Sequence, residues 1–380
     1  MTEVDVVEQV DQDDLDDNLV ERVVPVRPRK VALQKSLRPW HKPRKQAARR
    51  AWKYHIRKLM RRLHFPAGNP RLFRYLTLAG PDMLDIRNLE DVIKEGEFQL
   101  KWNGFSPRNC REEAEIILNQ SQLRDYDWID NGSEVLWYRL EEIASGANSV
   151  ALREALSHGP FHAINFDLCQ NITARSGQSP SVLSSLLKLI DFQALHCTHD
   201  WLIFITTKVE RLNTPAENIR DFLDSINNNI DVSPDFAEAF DALCLEQGIP
   251  SQVALTDPLL LSNDAFVKFF CLGLTKWLLR HLCTAVPRIE LTMENSHLYS
   301  VEPGVKDMLS LVYRCSPVRR APAAVDAMDD LAEVRLGQIA VLRTRELRDL
   351  DDVQDPGLLA ETQELLRLAN YPAELIAELR

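Results

Sequence analysis

The sequence predicts an α/β protein with a doubly wound, mostly parallel sheet, a late antiparallel strand pair and helical additions. Three observations carry this. Short β-rich runs alternate with helical runs from about residue 71 to residue 209, the pattern of strands joined by crossover helices. The run DWLIFITTKV is nearly continuous in apolar character, as a strand buried on both faces would be. Two more β-like runs, RIELTMENSHLYSV and KDMLSLVYRCSP, arrive only after three consecutive helical segments.

Residues 1–27 hold a dense acid run without a durable period, which predicts a flexible acidic tail. Residues 28–69 form a basic arm. Its segment RPWHKPRKQAARR has two X-Pro steps that discourage helix, so a helix is expected from Pro43 to about Leu63. Trp52, Ile56, Leu59 and Leu63 recur at helical spacing as one apolar stripe, which would dock the helix on the main domain. Arg44, Lys45, Arg49, Arg50, Lys53, Arg57, Lys58, Arg61 and Arg62 supply its cations.

Residues 70–318 form the α/β domain. LFRYLTLAG is the first strand, and PDMLDIRNLEDVIKEG a helix opened by Pro81 and stopped by Gly96. FQLKWNGFS is the second strand and CREEAEIILNQSQL its helix. EVLWYRLEEIA supplies a third strand and turn, and SVALREALSH a helix. FHAINFDLC is the fourth strand, followed by the helix SPSVLSSLLKLIDFQALHC and then by the fifth strand. Residues 319–380 read as a helical extension, either a subdomain packed on the sheet or a module for docking a protein partner.

Composition narrows the class. The chain has 380 residues with 45% hydrophobic, enough for a sizeable core. No run reaches the length a membrane span needs, and the first residues do not resemble a secretory leader. Seven scattered cysteines without a CxxC pair fit reduced thiols in the cytoplasm. HCTHD brings together His196, Cys197 and His199, but a zinc site needs about four ligands, so no metal is expected.

The net charge of -11 hides a segregation. Residues 1–21 carry -9, residues 22–81 carry +18 without a single acid, and 82–380 carry -20. Such a basic block points to a polyanionic partner, nucleic acid or an acidic protein surface, with the arm's cations on phosphates.

Catalytic signatures are sparse. GxxxxGK[ST], GxSxG and HExxH are all absent, which removes the common phosphate-loop, hydrolase and zinc-protease templates. Attention falls on Asp167, at the end of INFDLC. It can cap the helix start near Asn171–Thr173, contact a ligand where open α/β sheets place their sites, or act as a general base. Asn165 shares its face in a period-2 strand, and Cys169 continues it. Thr206, Thr207 and Lys208 sit at the next strand end, where they either line the same cleft or terminate the strand.

Five strand–helix units closed by a late strand pair, with INFDLC as the fourth strand, resemble the class I S-adenosylmethionine-dependent methyltransferases over about residues 70–318. The resemblance implies a Rossmann-like fold and S-adenosylmethionine as cofactor. By position it assigns Gly80 and Asp82 of LAGPD to the cofactor loop, Ser106 to the ribose position, Glu141 to the adenine edge, and Asp167 with Asn165 to the catalytic side. The chain departs from that pattern in having one glycine in the loop and no acid at the end of the second strand. Two functions follow. One is a cofactor-degenerate, nucleic-acid-associated binding or scaffold subunit of a bacterial system such as phage defence. The other is an active methyltransferase on DNA or RNA.

Overall fold

The computed structural model describes residues 35–66, 68, 70–146, 148–175, 177–301, 306–318, 327–351 and 355–379. The acidic tail 1–27 and the first residues of the basic arm lie outside these. Ser36–Arg380 form one unit, with the helix of the arm and the C-terminal helices built into it.

The elements run α1 (Pro43–Met60), β1 (Leu72–Leu78), α2 (Leu84–Arg87), α3 (Glu90–Glu95), β2 (Gln99–Phe105), α4 (Glu113–Arg124) and β3 (Glu134–Leu136). Next come α5 (Val150–His158), β4 (Ala163–Asp167), α6 (Val182–His196), β5 (Trp201–Lys208), α7 (Ala216–Val232), α8 (Pro234–Glu246) and α9 (Ser251–Thr256). The chain finishes with α10 (Asn263–Cys283), β6 (Ile289–Ser300), β7 (Lys306–Pro317), α11 (Ala327–Arg345), β8 (Arg348–Asp349), α12 (Pro356–Leu368) and α13 (Ala373–Ala377).

The sheet order is β3-β2-β1-β4-β5-β7-β6-β8. β1 to β5 are mutually parallel, and β7 runs antiparallel between β5 and β6. The doubly wound α/β fold with a late antiparallel pair is therefore as expected. The order reverses between β1 and β4, and the crevice outside the strand ends at such a switch point is where open sheets bind ligands.

Alternation along the strands divides the core into two layers. On β5, Ile203 and Ile205 join the cluster shared with α6 and α10, whereas Leu202 and Phe204 join the one shared with α1, α3 and α4. The stripe read from the sequence places α1: Trp52, Ile56 and Leu59 are buried, and Trp52 stacks on Phe204 at 5.9 Å between ring centroids. Pro43 occupies the first turn of α1, where its missing N–H leaves nothing unsatisfied.

Two local expectations change. The helix expected over 81–96 starts only at Leu84, because Met83 has φ 49°, a left-handed conformation that cannot belong to a right-handed helix, and it is interrupted at Asn88 and Leu89 between α2 and α3. The third strand is confined to Glu134–Leu136, and Leu140–Ala144 form a 3-10 turn. At the C-terminus, α12 buries Leu365 and Leu366 with Leu84, Tyr371 and Ile376, so its stripe is covered by the chain itself.

Acid should loosen this packing. Burial lowers the pKa of His55 on α1 and of His297 on β6 to about 4 each, and that of His162 to about 3. The groups acting on the first pair are Glu294, Lys58, Arg314, Arg343 and Arg348. Because each folded-state value is depressed, the unfolded chain binds more protons below its ordinary value of about 6.5. The stabilisation is complete above that pH and lost as pH falls toward each folded-state value, at up to roughly 3 kcal/mol each for His55 and His297 and somewhat more for His162. Denaturant unfolding at a series of pH values should give a nearly flat stability between about pH 7 and 8 and a fall below about 6.5. His55→Gln should flatten the fall; a slope identical to wild type would clear His55 of the effect.

Candidate functional site

A cavity of about 940 Å³ opens at the switch point. Leu78, Gly80 and Asp82 line it from the end of β1, Asp85 from α2, and Asp167 to Cys169 from the end of β4. Lys208 ends β5, and Tyr299, Asp307 and Met308 come from β6 and β7. α1 contributes Lys45 and Arg49.

Period 2 in β4 puts Asn165 and Asp167 on the face that α1 covers. There the Asp167 carboxylate, 23% exposed, forms an ion pair with the Lys45 ammonium, 4% exposed. Lys45 also donates to the Tyr299 hydroxyl at 3.2 Å and to Thr206 Oγ1 at 3.5 Å, and its Nζ stands 4.8 Å from the Trp52 ring centre. Desolvation, ahead of the opposing attraction of Asp167, holds the Lys45 pKa below the usual lysine value. The other branch of the network starts at Asp85. Its Oδ2 accepts from Thr77 Oγ1 at 2.6 Å, and the Tyr75 hydroxyl, 3.4 Å away, accepts from Asn165 Nδ2 at 2.8 Å. Burial raises the Asp85 pKa.

Of the residues predicted at the site, Gly80, Asp82 and Asp167 line the cavity, and Asn165 lies beneath it, bonded to Tyr75. Asp167 does not cap the following turn; Asn171 Oδ1 does that, accepting from Thr173 N at 2.9 Å. Asp82 is a structural tie, its Oδ2 3.0 Å from both His41 Nε2 and the Tyr371 hydroxyl. Ser106 is buried with its Oγ 3.9 Å from Cys110 Sγ, and Glu141 lies on the 3-10 turn; neither lines the cavity. Thr207 serves the strand end, accepting from Ile172 N at 2.8 Å. Asp85, Tyr75, Thr77 and Tyr299 were not legible as site residues, since their partners are distant or belong to a different element.

The cations of α1 are engaged within the chain. Arg44 pairs with Asp351 at 2.8 Å, Arg50 with Glu361 at 2.9 Å, Lys53 with Asp91 at 2.9 Å and Arg57 with Glu95 at 2.8 Å. Lys58 reaches Glu294 at 3.5 Å, and Arg61 and Arg62 reach Glu95 and Asp200 at 3.7 Å each. Lys45 and Arg49 point inward and are buried, which corrects their expected place on an outer, phosphate-facing surface.

The residues do not fit S-adenosylmethionine in the seat that the resemblance implies. No carboxylate stands at the end of β2, and Ser106 and Glu141 lie outside the cavity. A Cβ at Gly80 would meet nothing within 4 Å, so its loop is not a tight cradle.

The strand order and the cavity at the switch point define a Rossmann-like α/β protein. The family model described as PP_RS20740-like matches residues 34–379, and the chain belongs to that family. No curated protein matches it. Among solved structures, one described as a class I S-adenosylmethionine-dependent methyltransferase from Listeria monocytogenes is similar at 9% identity, covering 88% of this chain and 73% of that one, with a TM-score of 0.35. Among the described residues no helix is long and apolar enough to cross a membrane, and no group of metal-binding side chains occurs.

Proposed function

We propose that the chain is a methyltransferase-fold binding protein that holds a ligand in the cavity at the switch point and does not use S-adenosylmethionine in the usual seat. The position of the cavity carries this reading. Its walls come from β1, β4, β5, β6, β7 and their loops, with α1, α2 and α10, and none from the ends of β2 or β3, where the ribose and adenine contacts would lie. The Lys45 clamp adds to it: one oxygen of the Asp167 carboxylate is held by a buried ammonium. A nucleic-acid partner for α1 gains less support, because counterion release needs cations free to meet phosphates, and those of α1 are paired with the chain's own acids.

Calorimetric titration of the full-length protein with S-adenosylmethionine is the test. No saturable heat is expected. Saturable binding would reinstate the active methyltransferase on DNA or RNA as the better reading.

A further inference from the structure

The cavity wall contains a cation whose hydrogen-bonding capacity the chain does not meet. Arg49 is 3% exposed, and its Nη2 donates to the Trp40 carbonyl at 3.1 Å. Its Nε and Nη1 are buried without a hydrogen-bond partner. A guanidinium has five N–H donors and no acceptor, and a buried donor left unsatisfied is costly, more so when charged.

The nearby carboxylates are otherwise engaged. Asp167 holds Lys45, Asp82 is held by His41 and Tyr371, and Asp85 accepts from Thr77. Asp167 and Asp85 act on Arg49 electrostatically without hydrogen bonding it. Burial also favours the neutral form of Asp85. The inner end of the cavity thus sets two buried cations, Lys45 and Arg49, beside the carboxylates of Asp167, Asp85 and Asp82, and the Nε and Nη1 donors of Arg49 are met by none of them.

Resting on the reading of this cavity as a ligand site, we infer that its inner end binds the anionic headgroup, carboxylate or phosphate, of a small organic molecule, with Arg49 as the anchoring cation. An anion supplies the acceptors that Arg49 lacks, and charge-assisted hydrogen bonds of this kind are the strong ones. The remaining wall suits an apolar body, with Leu78, Met83, Phe266, Val267 and Met308 around it. Ligand pockets are typically apolar with a few placed polar groups.

The test titrates the full-length protein calorimetrically with 4-phenylbutyrate, with its neutral amide and with inorganic phosphate. The acid should bind at least about tenfold more tightly than the amide, a difference of about 1.4 kcal/mol. Arg49→Gln should abolish that preference, and Arg49→Lys, which keeps the charge, should retain part of it. Phosphate that competes with the acid marks a headgroup site open to both anions. Phosphate binding that requires Arg49, without binding of the acid, keeps the inference and assigns the headgroup to phosphate. Equal binding of acid and amide by the wild-type protein, or no anion binding, overturns it without reference to any variant. A preference that survives Arg49→Gln overturns it too. Binding of S-adenosylmethionine would defeat the reading above, and the acid-to-amide comparison would still stand on its own.

Discussion

Asp167→Asn is expected to destabilise the protein by about 3–4 kcal/mol, because it strands a buried ammonium. Lys45 is 4% exposed and its ion pair with Asp167 is its one contact with a carboxylate among the described residues. The amide can still accept a hydrogen bond, but it cannot balance the charge. The loss has a ceiling: from an ordinary pKa of about 10.4, shedding the proton at pH 7 costs roughly 4.6 kcal/mol, so the folded variant deprotonates Lys45 rather than suffer more. That gives a signature. The variant's folded-state lysine pKa is depressed further below its unfolded value, so its stability, relative to wild type, should rise with pH from 7 toward 10. Lys45→Met/Asp167→Asn removes the charge and should recover much of the loss, leaving a coupling energy of at least about 1 kcal/mol in the double-mutant cycle. Urea unfolding measures all of these. A single variant within 1 kcal/mol of wild type, flat in pH, would mean that the pair is solvated and that Asp167 does not anchor α1.

The sequence made the fold legible because its signals are local. Strand length, the near-continuous apolar run of β5, the Trp52–Ile56–Leu59 stripe and the Pro43 helix start each depend on neighbours within a few residues. The late start at Leu84 and the break after Arg87 were hidden, because Pro81 and a helical period allow one helix or two. The site was half legible for the same reason. Asp167 stood out by its place at a strand end, whereas its partner is 122 residues away. The basic block was read as pointing to a polyanionic partner, whereas among the described residues the cations of α1 meet acids of the chain itself. Asp91, Glu95, Asp200, Glu294, Asp351 and Glu361, drawn from the segment that carries -20, answer the cations of α1. Charge segregation along a sequence says that opposite charges must meet, without saying in which molecule.

Trp52→Ala distinguishes an integral α1 from a detachable arm, and it should cost about 4–6 kcal/mol. Removing a buried tryptophan typically costs about 3–5 kcal/mol through lost transfer energy and the cavity left behind. Trp52, 2% exposed, also stacks on Phe204 and faces the Lys45 ammonium, and a desolvated cation–π contact adds up to about 2 kcal/mol. Tyr54, two positions along and 57% exposed, provides the control: Tyr54→Ala should stay within about 0.5 kcal/mol of wild type. The shape of the transition carries as much information as its midpoint. If α1 is part of the core that Phe204 and Val312 share with Trp52 and Ile56, Trp52→Ala should unfold in one transition at lower denaturant, with tryptophan fluorescence and far-ultraviolet circular dichroism coinciding. An arm that merely docks would come away first, giving an early transition that leaves the sheet intact. Two separated transitions would therefore refute the integral role of α1, and with it the Lys45 and Arg49 end of the proposed ligand site.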